Sequence, residues 1–195
     1  MKKLLFVDVE TGGLDPKQHS LLTIGMCVMI EGNIVDRLEI KLKQDTYHVT
    51  SSALKVNQIN LLELDTDIKN AFNKVIMFIK RNFDTTEKIT LAGHNVNFDI
   101  GFLKVFWEEG LKTIPEYTRN QLLWYKLFGY HYVDTMQISA FLNDVGLIKT
   151  QNNKLESLIK YFNLTPSSRH TALEDSIMTA LSYYNMMMLV KGLVV

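Results

Sequence analysis

The apolar residues of this chain fall into blocks whose spacing predicts strands first and then alternating strands and helices. Leu4-Leu5-Phe6-Val7 is a dense apolar run that continues as Asp8-Val9-Glu10 and closes on Thr11-Gly12-Gly13. This is the pattern of a buried strand emptying into a loop. Side chains alternate across a strand, so Asp8 and Glu10 share one face with Leu4 and Phe6, while Leu5, Val7 and Val9 line the other. Both faces are therefore expected to be buried. After a turn at Leu14-Asp15-Pro16, Leu21 to Ile30 reads as a second strand. Glu31-Gly32-Asn33 turns it into a third, Ile34 to Leu42, with Ile34, Leu38, Ile40 and Leu42 on one alternating face. The opening is a three-stranded antiparallel unit.

Helical spacing follows. Thr50 or Ser51 caps a short helix through Val56, and Asp67 to Asn82 carries Ile68, Phe72, Val75, Ile76 and Ile79 at helical intervals. Ile89 to Gly93 is a short buried strand ending at His94-Asn95. From about Asn97 a helix with Phe98, Phe102, Val105 and Phe106 on one face runs to near Gly110, with Asp99 in its first turn. Pro115 to Phe128 reads as another amphipathic helix covering the core, with a dimer surface as the alternative. Tyr130 to Val133 reads as a strand running into Asp134. Leu155, Leu158, Ile159 and Phe162 mark a short helix before Pro166. Thr171 and Glu174 form a capping-box pattern that starts a long helix at Thr171 and carries it through about Val190. Alternation of this kind argues for α/β layering in one domain over residues 1–195.

Composition narrows the class. The 21 basic and 21 acidic residues cancel, which argues against a large duplex-binding footprint more than against an enzyme holding a short end. Cys27 is the single cysteine, so no internal disulfide forms and a cytoplasmic home is expected. No stretch is long enough to span a membrane, and Asp8 and Glu10 interrupt the N-terminal apolar run too early for a signal peptide.

The chemistry begins with Asp8 and Glu10. Two carboxylates a few residues apart at a buried strand end repel, so the protein must protonate one or supply a cation. An all-oxygen site suits Mg²⁺ or Mn²⁺ better than zinc. Downstream candidates are Asp99, His170 and Asp175. Taken in order, VDVETGG, GHNVNFDIGF and RHTALEDS resemble the three exonuclease motifs of the DEDD superfamily. The His-x-x-x-x-Asp form of the third resembles the histidine subclass. The likeness extends from Leu4 to about Tyr184 and is greatest to the DnaQ-like group, which includes the proofreading ε subunit of bacterial DNA polymerase III, ribonuclease T and oligoribonuclease.

The resemblance implies an RNase H-like fold, a five-stranded mixed sheet in order 3-2-1-4-5 flanked by helices. It also implies a 3′→5′ exonuclease using two divalent cations and releasing nucleoside 5′-monophosphates. Asp8 would bridge both ions, Glu10 and Asp175 would complete one, Asp99 would hold the other, and His170 would act as general base. Thr11, Gly12, Leu14, Asn57, His94 and Phe98 would contact the terminal nucleotide; the family often has histidine where this chain has Asn57. The implied partner is a single-stranded 3′ end, DNA before RNA, with a DNA polymerase or a second copy as further partners. An exoribonuclease uses the same residues, so the polymer stays open at this point. A module that merely held an end would need no complete ligand set.

Overall fold

The computed structural model describes residues 3–84, 86–167 and 171–193. Its sheet comprises β1 (Leu4–Thr11), β2 (Leu21–Ile30), β3 (Asn33–Lys41), β4 (Leu91–Gly93) and β5 (Val133–Asp134), in the spatial order β3-β2-β1-β4-β5. β1 to β3 pair antiparallel, and β1, β4 and β5 run parallel. The expected order and the expected antiparallel opening are both present. Because β1 is central and both its neighbours on one side run parallel to it, the ends of β1, β4 and β5 open at one edge of the sheet. That edge is where ligands reach open α/β sheets.

The two faces of β1 pack as its alternation requires. Leu5, Val7 and Val9 join Ile24, Met26 and Val28 of β2 under two helices, α2 (Ile68–Asn82) and α3 (Val96–Lys112). α2 starts at Asp67, whose side chain accepts from the Asn70 amide, and its Phe72, Val75, Phe78 and Ile79 are buried. On the opposite face, Leu4 and Phe6 pack with Cys27, Met29 and Ala180 under α8 (Ala172–Lys191). A third cluster, Leu142, Ile148, Leu158 and Met186, ties α6 (Thr135–Asp144) and α7 (Leu155–Tyr161) to α8. The remaining helix of the first half, α1 (Ser51–Asn57), is capped by Thr50, whose hydroxyl accepts from the Ala53 amide.

Three expectations fail. Residues 115–128 do not form one helix; they form α4 (Glu116–Arg119) and α5 (Trp124–Leu127), separated by a turn. Trp107 dictates this break: its indole Nε1 donates to the Leu122 carbonyl at 2.7 Å, and its ring meets Trp124 and Phe128 edge-on. The segment therefore covers the core, with Leu127 and Phe128 buried. In β3, a register shift opposite Val28/Met29 leaves Val35 half exposed and turns Ile34 toward Leu4 and Phe6, while Leu38 stays with the α2 face. One extra residue in a strand reverses the alternation beyond it. β5 is likewise shorter than expected, with Tyr130 to Tyr132 outside it.

Candidate active site

Asp8 and Glu10 project from the last half of β1 on the α8 face, at the sheet edge just described. Asp175 reaches them from the first turn of α8. The helix begins there because the Thr171 hydroxyl accepts from the Glu174 amide at 3.2 Å, a cap contributing about 1 kcal/mol. Glu174 turns to Ser167 and accepts from both its amide and its hydroxyl at 2.7 Å. The start of α8 can lie this close to the sheet because Gly25, paired with Asp8, has no side chain: a Cβ there would meet the Ala172 carbonyl carbon at 2.0 Å. Gly25 is thus a positioning device for Asp175, and the sequence alone marks it only as a glycine in a strand.

One carboxylate oxygen from each of Asp8, Glu10 and Asp175 lies within 4.8 Å of the other two. Asp99, in the first turn of α3, is 3% exposed and accepts the Val9 amide at 3.0 Å. That bond fills the gap in the β1 ladder where β4 has ended. Asp99 stands outside the three-carboxylate group but lines the same cleft of about 260 Å³, together with Val56, Asn57, His94, Phe98 and Glu156.

The electrostatics show an arrangement short of positive charge. Burial, followed by Asp99, Asp175 and Glu10, raises Asp8 well above the ordinary carboxylate range. Burial and then Asp175 push Glu10 up to about 8. Asp99 is also raised by burial, against the Val9 amide that favours its charged form. Like charges confined together in a partly dehydrated cleft raise one another's pKa. The donor set, carboxylate oxygens only, fits a hard divalent cation, so the residues present match the metal the sequence implied.

The other residues singled out from the sequence are distributed around this cleft. Thr11 is buried, and its hydroxyl donates to the Gly13 carbonyl at 2.7 Å. Gly12 is bonded on both sides, its amide to Ser20 and its carbonyl to the Thr50 amide, each at 2.7 Å. A Cβ at Gly12 would lie 2.3 Å from the His48 carbonyl, so the residue is needed for the close approach of the chain to itself. Leu14 is 83% exposed beside this turn. Asn57 is buried, and its amide donates to the Thr11 carbonyl at 3.1 Å, locking α1 to the end of β1. His94 Nδ1 lies 3.0 Å from the Thr135 hydroxyl, which donates to the Gly93 carbonyl. Burial lowers the His94 pKa. Phe98 packs against Phe102 at 5.2 Å between ring centres while still lining the cleft. His170 lies outside the described residues.

Two participants escaped the sequence reading. Asp134 accepts both the Asn95 amide at 3.0 Å and the Met136 amide at 2.9 Å, joining the start of α3 to the start of α6. The left-handed Asn95, φ 62°, makes that turn. Glu156 of α7 faces the carboxylates across the cleft; the apolar spacing that marks this short helix says nothing of what its polar residues meet.

Residues 5–183 match the exonuclease family model RNase_T. Among sequence relatives, DNA polymerase III PolC-type of Listeria monocytogenes is 28% identical over 173 residues, covering 89% of this chain and 10% of the relative. The PolC-type polymerase of Thermotoga petrophila is 26% identical over 176 residues, covering 89% and 11%. Escherichia coli exonuclease I, solved in complex with a dT13 oligonucleotide, superposes with a TM-score of 0.76 at 16% identity, covering 100% of this chain and 43% of that one. The chain thus spans about a tenth of the polymerases' length and under half of exonuclease I.

Proposed function

We infer the activity from a firm premise: this chain belongs to the exonuclease family that its residues 5–183 match. The activity proposed is divalent-cation-dependent 3′→5′ hydrolysis of single-stranded DNA, releasing nucleoside 5′-monophosphates, with the chain acting as one exonuclease unit. The observation that carries it is the convergence of Asp8, Glu10 and Asp175 oxygens within 4.8 Å at the sheet edge, beside the buried Asp99. Uncompensated, such a cluster is costly; with cations it is a device for phosphodiester chemistry.

Asp8, central in the group, would help hold both cations, with Glu10 and Asp175 holding one of them and Asp99 the other. Mg²⁺ or Mn²⁺ held there would supply charge neutralisation on the phosphoryl oxygens and the leaving 3′-oxygen. His170, one residue before the Thr171 cap, takes the proton of the attacking water, a role suited to a group with an ordinary pKa near 6.5. Thr11 lies beside the terminal 3′-hydroxyl, and Gly12, its amide and carbonyl bonded to Ser20 and Thr50, holds the turn that shapes this end of the cleft. Phe98 offers a ring face to the terminal base and exposed Leu14 an apolar contact. Asn57 acts by fixing the wall of the cleft, and His94 lines its opposite side.

The names of the similar proteins, DNA polymerases and an exonuclease solved with a deoxyoligonucleotide, support DNA over RNA, and the former support a polymerase as partner. The test is a time course on matched 5′-labelled single-stranded DNA and RNA with Mg²⁺, Mn²⁺ or chelator. A metal-dependent ladder shortening from the 3′ end, faster on DNA, is expected. A faster RNA ladder would reassign the substrate, and intact oligonucleotide under all conditions would overturn the reading.

A further inference from the structure

The carboxylate cleft continues in two directions, and the two arms differ in charge. One arm, about 620 Å³, is lined by Glu10, Glu39 and Glu63, and its Lys41 already lies 3.9 Å from Glu63. The other, about 670 Å³, has Asp8 and Asp175 at its inner end and runs out along α7. Its floor is apolar, with Leu155, Ile159 and Pro166. Its rim carries Lys154 and Lys160. Both lysines are exposed, and neither forms an ion pair among the described residues. Lys154 occupies the N-cap position of α7 without using its side chain there, so its ammonium is not committed to the helix. Glu156 sits where this arm joins the central cleft.

A polynucleotide crossing the cluster can run along either arm. Each is lined by three carboxylates, Glu10, Glu39 and Glu63 in the first and Asp8, Glu156 and Asp175 in the second, so the lysines distinguish them. The second offers two uncommitted cations over an apolar floor, the combination that binds single strands through phosphates and base faces. Its volume lies within the roughly 300–1,000 Å³ typical of small-ligand sites, enough for a nucleotide or two. We propose that the α7 arm is the subsite for the nucleotides immediately 5′ of the scissile phosphate in single-stranded DNA, with Lys154 and Lys160 on their phosphates and Leu155 and Ile159 under their bases. This rests on the 3′→5′ reading above, because it places the terminal nucleotide in the central cleft and the rest of the strand along α7. The strand polarity across the sheet edge follows.

The test compares wild type with K154A/K160A on two substrates, a single-stranded octadeoxynucleotide and the p-nitrophenyl ester of thymidine 5′-monophosphate, which has no nucleotide on the 5′ side. Losing two phosphate contacts should flatten the salt dependence of oligonucleotide KM by about 1.4 log units per log unit of salt, and raise KM about tenfold near 0.15 M salt. The kcat on the octamer and the activity on the ester should stay unchanged. K154R/K160R should restore KM, and K69A, on α2 across the sheet, should match wild type. Unchanged KM and salt slope in K154A/K160A would overturn the subsite, as would an equal loss on the ester or an equal effect of K69A. A wild type that cleaves neither substrate overturns the exonuclease reading itself, and the subsite falls with it.

Discussion

Neutralising Glu10 should stabilise the metal-free protein, and the size of the effect follows from its surroundings. Burial and Asp175 raise this carboxyl from an ordinary 4.5 to about 8. For an acid whose folded pKa lies above its unfolded one, stability is fullest below the unfolded value and is lost as pH rises through the folded value. The loss from Glu10 therefore develops between pH 4.5 and pH 8. At about 1.36 kcal/mol per pKa unit, its ceiling is about 1 kcal/mol at pH 5 and about 4 kcal/mol at pH 8. Water entering the open cleft screens about half of this, leaving about 2 kcal/mol at pH 8. In a chain of this length that is a shift of roughly 4–8 °C in melting temperature. Thermal melts in chelator should show Glu10→Gln above wild type by that amount at pH 8 and by only about 1–2 °C at pH 5. Added Mn²⁺ should reverse the order, because a cation stabilises whichever form binds it more tightly. Equal melting at pH 8 in chelator, or a variant less stable than wild type there, would refute the reasoning that Glu10 is held under charge strain.

Asp8→Ala should abolish cleavage of 5′-labelled DNA while leaving the far-UV circular dichroism and the chelator melting temperature at or above wild type; retained cleavage would remove Asp8 from the site. His170→Ala should slow the single-turnover chemical step by roughly 10²–10⁴-fold with little change in Mn²⁺ affinity; a loss of affinity with a normal saturated rate would make His170 structural. Gly25→Ala should cost about 3 kcal/mol or more in urea unfolding, because its methyl would drive the Ala172 backbone off the sheet. The same variant should lose cleavage more severely than its stability predicts, because Asp175 moves with the helix. A Gly25→Ala protein with wild-type activity would show that α8 is placed by something else.

Much of this molecule is legible in local pattern. The alternation in β1 is strong enough to assign Leu4 and Phe6 to one core and Leu5, Val7 and Val9 to another. Asp67 and Thr171 mark helix starts because their side chains accept amides that would otherwise lack partners. The features that escaped are those set by residues distant in sequence. The bulge at Val35 depends on the register β3 takes against Val28 and Met29 of β2, and the break in residues 115–128 depends on Trp107 claiming the Leu122 carbonyl. In the site, Asp8, Glu10 and Asp175 could be named from their motifs. Their convergence, however, rests on Gly25 admitting the start of α8, which no periodicity reveals. Glu156, Lys154 and Lys160 read only as polar positions of a short helix until the third core cluster seats α7 beside the cleft.

Anomalous diffraction at the manganese edge, from crystals of the wild-type protein equilibrated with Mn²⁺ near pH 8, asks whether these carboxylates hold cations. Peaks are expected in the space enclosed by Asp8, Glu10, Asp99 and Asp175, abolished in Asp8→Ala crystals. Manganese bound only elsewhere, with this space empty of anomalous signal, would show that the cluster is not a metal site.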